Sequence, residues 1–233
     1  MLFIVYSARK LFKCLFIYVL WKMPEKPIIK ASWLGSQEYC EYKWYLENVL
    51  KEEIPIVKAM AAGTKIHQIK EDEFRKAAKP TTAKKFLESK FYTITKEISF
   101  KKEFDNFILS GKIDELGVDA NNLYVIDDKP RAKPWLGTKR QIWAYCILVR
   151  EFIKESYPEH LNKKIFAVLR DRDSNKEVWN KEFEENDIVD VFHAISRMVR
   201  LFNKEINPIP NEIPAKCSAC VLHKQEKCEF SCA

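Results

Sequence analysis

The chain has 233 residues, 47% of them hydrophobic and 31% charged, so it can bury a core and is not a disordered tail. Lys plus Arg number 40 against 33 for Asp plus Glu, a net charge of +7 that suits a polyanionic partner without requiring one. With 5 glycines, and neither a P-loop nor a GxGxxG pattern, the common glycine-rich nucleotide cradles are excluded.

Met1–Trp21 is apolar but interrupted by Arg9, Lys10 and Lys13, which fall on one helical face. Its uncharged runs are short of the roughly 20 apolar residues that a spanning helix needs, so no transmembrane span is expected. Its positive charge lies within the apolar stretch rather than ahead of it, unlike a secretory signal. Two readings stand for residues 1–22: a membrane-surface helix, or an extension ahead of a start at Met23.

After Met23, Ser32–Leu50 reads as one aromatic-rich helix and Met60–Ala77 as another, which carries Gly63 and His67. Phe91–Phe104 and Asn106–Leu116 read as strands, Asp119–Asn122 as a turn and Leu123–Lys129 as a third strand. Lys139–Ile153 is predicted helical, and Ile165–Arg170 with Val178–Phe183 form a hairpin around Asp173–Lys176. In Asp187–Glu205 a helical stripe of Ile188, Val191, Phe192, Ile195, Val199 and Phe202 marks a core-facing side. A Pro-rich connector, Asn207–Pro214, leads into a cysteine cluster. Helices bracketing a mixed sheet indicate an α/β (α+β) core.

Strand alternation puts Asp127 and Lys129 on one face and Asp128 on the other. If Ile108–Leu116 pairs with Leu123–Lys129, Asp114 approaches Asp127 from the neighbouring strand. Two carboxylates so placed are costly to bury, and a divalent cation such as Mg²⁺ or Mn²⁺ would offset their repulsion. Taken alone, Asp127-Asp128-Lys129 equally describes a salt-bridged strand end. Gly63 and His67 are four apart on one helical face, as are Gln141 and Tyr145. Each residue singly reads as a packing or surface position. The ordered set Gly-x3-His, Gly-x2-Asp, Asp-x-Lys, Gln-x3-Tyr is much harder to obtain by chance. Lys129, Arg131, Lys133, Lys139 and Arg140 form a basic run beside the site, interleaved with Pro130, Pro134 and Trp135. It reads either as a phosphate grip with Trp135 stacking on a base or as an exposed charged loop.

The 7 cysteines lie at 14, 40, 146, 217, 220, 228 and 232, four of them in the last 17 residues. An odd number crowded at one terminus reads as a metal or iron–sulphur site in a reducing, cytoplasmic setting rather than a secreted disulfide framework. Cys14 and Cys146 are read as packing or surface thiols.

The four ordered motifs, together with Cys40 and Cys217-x2-Cys220-x7-Cys228, resemble the RecB-like branch of the PD-(D/E)XK nucleases that carry an iron–sulphur cluster. The likeness covers roughly residues 30–230, and for a short stand-alone chain it is greatest to the fourth CRISPR-associated family, an adaptation-module exonuclease. It implies a restriction-endonuclease-like core, with a mixed central sheet flanked by helices and a C-terminal cysteine cluster clasping the N-terminal helix. It implies that His67, Asp114 and Asp127, with the backbone carbonyl of Asp128, hold Mg²⁺ or Mn²⁺. Lys129 would position the attacking water and stabilise charge on the scissile phosphate, and Gln141 and Tyr145 would orient Lys129 and the DNA strand. Cys40, Cys217, Cys220 and Cys228 would hold a [4Fe–4S] cluster. The division of the chain that follows is an extension (1–22), a nuclease core (23–206) and a cluster-binding tail (207–233, with Cys40). The resemblance begins only after Met23, which favours the extension reading of residues 1–22.

The chain departs from the family pattern in places. Ile113 stands where the motif name has Pro, and Asp127 rather than Glu is the acid of the third motif. The long Cys220–Cys228 spacing leaves Cys232 open as the last ligand instead of Cys228. A four-cysteine zinc site of Cys217, Cys220, Cys228 and Cys232, with Cys40 free, is the alternative. The expected activity is that of a single-stranded DNA exonuclease processing ends for CRISPR spacer acquisition, with the adaptation integrase as partner. Alternatives are a repair, recombination or mobile-element nuclease, a non-catalytic DNA-binding scaffold with a structural metal site, and a zinc-binding interaction module.

Overall fold

The computed structural model describes residues 26–54, 76 and 78–233. The segment 1–22 with Cys14, and the expected helix Met60–Ala77 apart from Lys76, lie outside the described residues, and with them Gly63 and His67.

A six-stranded mixed sheet forms the centre, flanked by helices. Its long strands arise where β-branched and aromatic residues concentrate: β2 (Thr93–Glu103), β3 (Ile108–Val118) and β4 (Asn122–Lys129) run as an antiparallel meander. A helix of 21 residues, Leu136–Ser156, crosses back over the sheet to β5 (Lys164–Asp171), which lies parallel to β4. β6 (Glu177–Glu182) closes the edge as the antiparallel partner of β5, so the expected hairpin is present.

β1 (Ile28–Lys30), too short to show a period, pairs in parallel with Ile108–Ser110 of β3. Since β2 occupies one edge of β3 along its length, β1 and β4 share the other. β1 takes Ile108–Ser110 and β4 takes Glu115–Val118. Between them Gly111–Asp114 pairs with neither β1 nor β4, and this gap in the ladder positions the candidate site.

The expected single helix Ser32–Leu50 is broken. α1 (Trp33–Tyr39) and α2 (Glu41–Asn48) meet at Cys40, whose φ of −162° and ψ of 109° are extended. The physical reason is tertiary. In a continuous helix the Tyr39 carbonyl and the Tyr42 amide would bond within the helix. Here Asn211 donates to the Tyr39 carbonyl, and the Tyr42 amide donates to the Ile209 carbonyl at 3.3 Å. The Pro-rich connector has replaced the helix's own bonds. Buried Glu41 fixes it there, accepting from Arg197 at 2.5 and 2.6 Å and from the Ile209 amide at 2.8 Å.

A short helix, α3 (Ala83–Leu87), precedes the sheet, and we denote Leu136–Ser156 as α4. Its Ile142, Ala144, Leu148 and Val149 are buried, and Leu148 lies against Gly111 of β3. Glu185–Phe202 forms α5, whose Ile188, Val191, Ile195 and Val199 are buried, as their helical spacing predicts. Each such side chain contributes about 1.5–3 kcal/mol over its exposed state. Two short helices, α6 (Pro214–Ala219) and α7 (Val221–Lys224), carry the tail. No helix among the described residues is long and apolar enough to cross a membrane.

Candidate active site

β3 and β4 stop pairing after Glu115–Ile126, so the next residues, Asp114 and Asp127, sit where the strands part. The Asp128 amide no longer finds a β3 carbonyl in that ladder. It donates instead to Asp114 Oδ2 at 3.0 Å. One carboxylate thus closes the end of the ladder and holds itself beside the second.

The strands turn here as well. Lys96 pairs with Glu115 on the sheet face away from α4, whereas Phe100, of the same parity, packs on Phe152 of α4. The reversal falls at Glu97, whose φ is 56°, a left-handed conformation costly for a residue with a side chain. Glu97 carries an ion pair with Lys112 at 2.5 Å, and its charge helps raise the pKa of Asp114. It is a third carboxylate acting on the pair that sequence reasoning missed. Nothing in a regular alternation marks it.

On the α4 face, Asp127 is 1% exposed. Lys129 donates to its Oδ1 at 3.2 Å and lies 3.0 Å from its Oδ2, and Gln141 approaches Oδ1 at 3.4 Å. Gln141 also donates to Tyr145 Oη at 2.9 Å, the four-residue spacing on α4 having put both side chains on one face. Tyr145 lies over Gly111, where an added Cβ would come within 2.7 Å of the ring. The glycine is therefore required by close approach. Asp114, Asp127, Lys129, Gln141 and Tyr145 are thus brought together, whereas the structure says nothing of His67, which lies outside the described residues.

Burial and the charge of Asp127 push Asp114 up to about 7. Burial opposes the charge of Lys129, but Asp127 and Asp114 outweigh it and hold its pKa above the ordinary value. Lys129 is therefore an ammonium at neutral pH, a donor rather than a base. Burial first, then Asp127, raises Tyr145, which stays neutral. Among the described residues, the buried Asp127 Oδ2 receives no hydrogen bond of good geometry, despite the nearby ammonium. A buried oxygen so left and a repelling carboxylate pair fit a divalent cation.

Asp128 points to the opposite face, as alternation predicts. Arg170 of β5 donates to Asp128 Oδ1 and Oδ2 at 2.7 and 3.1 Å, and to Glu115 Oε1 and Oε2 at 3.1 and 3.2 Å. The Asp128 carbonyl accepts from Arg172 at 3.3 Å. Of the basic run beside the site, Arg140 is already engaged, by Asp190 at 2.9 Å and Glu38 at 2.5 Å. Lys139 lies over Trp179, 5.5 Å from the ring centroid. Trp135, at the start of α4, is 68% exposed with Lys133 beside its ring. Cys146 is fully buried on α4, where burial pushes its thiol up.

The cysteines gather at the break between α1 and α2. Cys40, Cys217, Cys220 and Cys228 line one cavity of about 20 Å³ with Tyr39, Tyr42, Leu222 and Phe230. The tail is tied there by Tyr39 donating to the Lys216 carbonyl at 2.8 Å and Tyr42 to Glu229 at 2.9 Å. Tyr42 also meets Phe230 edge-on at 4.8 Å. Cys232 lies outside this lining but 3.3 Å from Cys217 Sγ. The six described cysteines form no disulfide. Among the described residues, no three His, Cys, Asp or Glu side chains stand close enough together to hold one ion.

No family model and no curated protein sequence matches the chain. Among solved structures it is similar to SSO0001, at 15% identity and a TM-score of 0.49, over 97% of this chain and 98% of that one. It is also similar to a candidate exonuclease from Eubacterium rectale, at 13% identity and a TM-score of 0.49, over 89% and 91% of the two chains. Nothing about the chemistry of this chain rests on those likenesses.

Proposed function

We propose that the chain is a metal-dependent nuclease of the RecB-like PD-(D/E)XK class, acting on DNA. The observation that carries this reading is the convergence of Asp114, Asp127 and Lys129 where β3 and β4 part, with the buried Asp127 Oδ2 facing the Lys129 ammonium at 3.0 Å. Asp114 and Asp127 would hold Mg²⁺ or Mn²⁺, joined by His67 and the Asp128 carbonyl in the family pattern. The ion, when bound, supplies Lewis acidity toward a phosphate oxygen and its water. Lys129, an ammonium here, donates to the water or to a phosphate oxygen and offsets charge developing on the phosphorus centre. Gln141 fixes the Asp127 carboxylate while Tyr145, neutral, holds Gln141 in turn.

The finer reading is a single-stranded DNA exonuclease that trims ends for insertion into a CRISPR array with the adaptation integrase as partner. A repair, recombination or mobile-element nuclease would use the same chemistry. The four thiols about one cavity suit a thiolate-held group, which we read as a [4Fe–4S] cluster fastening the tail to α1 and α2. Iron and acid-labile sulphide measured on anaerobically purified protein test that assignment, and stoichiometric zinc in their place would replace it.

The deciding assay incubates anaerobically purified protein with end-labelled single-stranded DNA and Mn²⁺, beside Asp114→Ala. Degradation by the wild type alone is expected. If neither protein cuts while both bind DNA, the non-catalytic scaffold takes the place of the nuclease.

A further inference from the structure

We infer that Arg170 is a positioning residue: from the far face of the sheet its guanidinium ties β4 to β3 and so sets the separation of Asp114 and Asp127. The inference rests on reading those two carboxylates as the metal-holding pair of a nuclease.

The backbone leaves that separation loosely determined. β4 stays paired with β5 through Lys129, while β3 stays paired with β2 through Ile108. Between β3 and β4 the ladder ends at Glu115–Ile126. Beyond it, the hydrogen bond from the Asp128 amide to Asp114 itself spans the gap on the site's side. The half-buried Asp114 and the buried Asp127 repel across this opening, and repulsion acts to widen it.

The far face opposes that widening. Glu115 is the neighbour of Asp114 on β3, and Asp128 is the neighbour of Asp127 on β4. Arg170 reaches both at 2.7–3.2 Å through four hydrogen bonds. Glu115 and Asp128 are 4% and 7% exposed, so the fork works where water competes little. Lys96, 3.2 Å from Glu115, supplies the second cation, so that among the described residues two cations meet two carboxylates. A planar fork that bonds two carboxylates holds an interstrand distance, whereas a point charge at the same place holds only charge balance. Carboxylates meant to share one ion must be held within about 0.5 Å of the productive geometry.

The test compares wild type, Arg170→Lys and the triple variant Glu115→Gln/Asp128→Asn/Arg170→Met. The first variant keeps the charge and removes the fork. The triple variant removes three charges together, so no carboxylate is left stranded if Arg170→Lys alone fails to fold. Folding is followed by circular dichroism, and Mn²⁺ binding by calorimetric titration without DNA. The expected result is a folded variant whose half-saturating Mn²⁺ concentration rises by roughly 10–100-fold, the usual cost of losing an outer-shell support. Wild-type Mn²⁺ affinity in a folded variant without the fork would make Arg170 merely structural and overturn the inference. If wild type itself neither binds Mn²⁺ nor cuts DNA, the nuclease reading falls and takes the inference with it. The two failures are therefore distinct.

Discussion

The two faces of the sheet at Asp114–Glu115 and Asp127–Asp128 are built from adjacent residues yet have opposite electrostatic designs. On the far face, among the described residues, two carboxylates meet Arg170 and Lys96, and those charges cancel. On the α4 face, among the described residues, Asp114 and Asp127 meet the Lys129 ammonium, with Glu97 adding negative charge nearby. Among the described residues, the first face matches two carboxylates with two cations, and the second sets three carboxylates against the ammonium groups of Lys129 and Lys112. The strain of that second face is carried by Asp114, whose pKa burial and the charge of Asp127 push up to about 7.

The comparison breaks most visibly in the pH dependence of the metal-free protein. Asp114 has a folded pKa above its unfolded value. Its contribution is therefore fully present below about pH 4 and is lost as pH rises through about 7. Asp114→Asn removes this cost, and above pH 7 it is expected to stabilise the metal-free protein by up to about 4 kcal/mol. Urea unfolding at several pH values measures it. Equal pH slopes for wild type and variant would show that the α4 face is balanced after all. Saturating Mn²⁺ flattens the wild-type slope but not that of the variant.

Lys129→Met removes the ammonium of the α4 face. It is expected to lower cleavage about 10²–10³-fold at saturating metal, with the fold retained. Measured kcat decides it, since a change confined to KM would place Lys129 in binding alone. The smallest effect lies away from both faces. Arg131→Ala with Lys133→Ala is expected to reduce the salt slope of single-strand binding by about one for each phosphate no longer neutralised. Arg140→Ala is expected to leave that slope unchanged, because its guanidinium is held by Asp190 and Glu38.

Much of the site is legible in the chain because it depends on local periods. Asp127 and Lys129 share a face and Asp128 faces away because a strand alternates, and the structure agrees. Gln141 and Tyr145 touch because a helix returns every 3.6 residues. The stripe of α5 and the meander of β2, β3 and β4 follow from the same periodicities. The break at Cys40 was not legible, since Ser32–Leu50 has an unbroken helical composition and the connector that interrupts it comes from Asn211 and Ile209.

By itself, then, the sequence determined which chemistry each element can present: acids and a lysine on one strand face, an amide and a phenol on one helix face, and thiols near the tail. Tertiary structure alone decided what those groups meet. It placed the three residues of β1 on the edge of β3 at Ile108–Ser110, beyond the stretch that β4 pairs. It turned β2 at Glu97, and it brought Arg170 to Asp128 and Glu115 from 42 and 55 positions away. It also set the tail thiols beside Cys40. The reason is one of range. The face of a side chain is fixed by backbone geometry within a few residues, whereas its partner across the molecule is selected by burial of the whole core, which leaves no local mark in the chain.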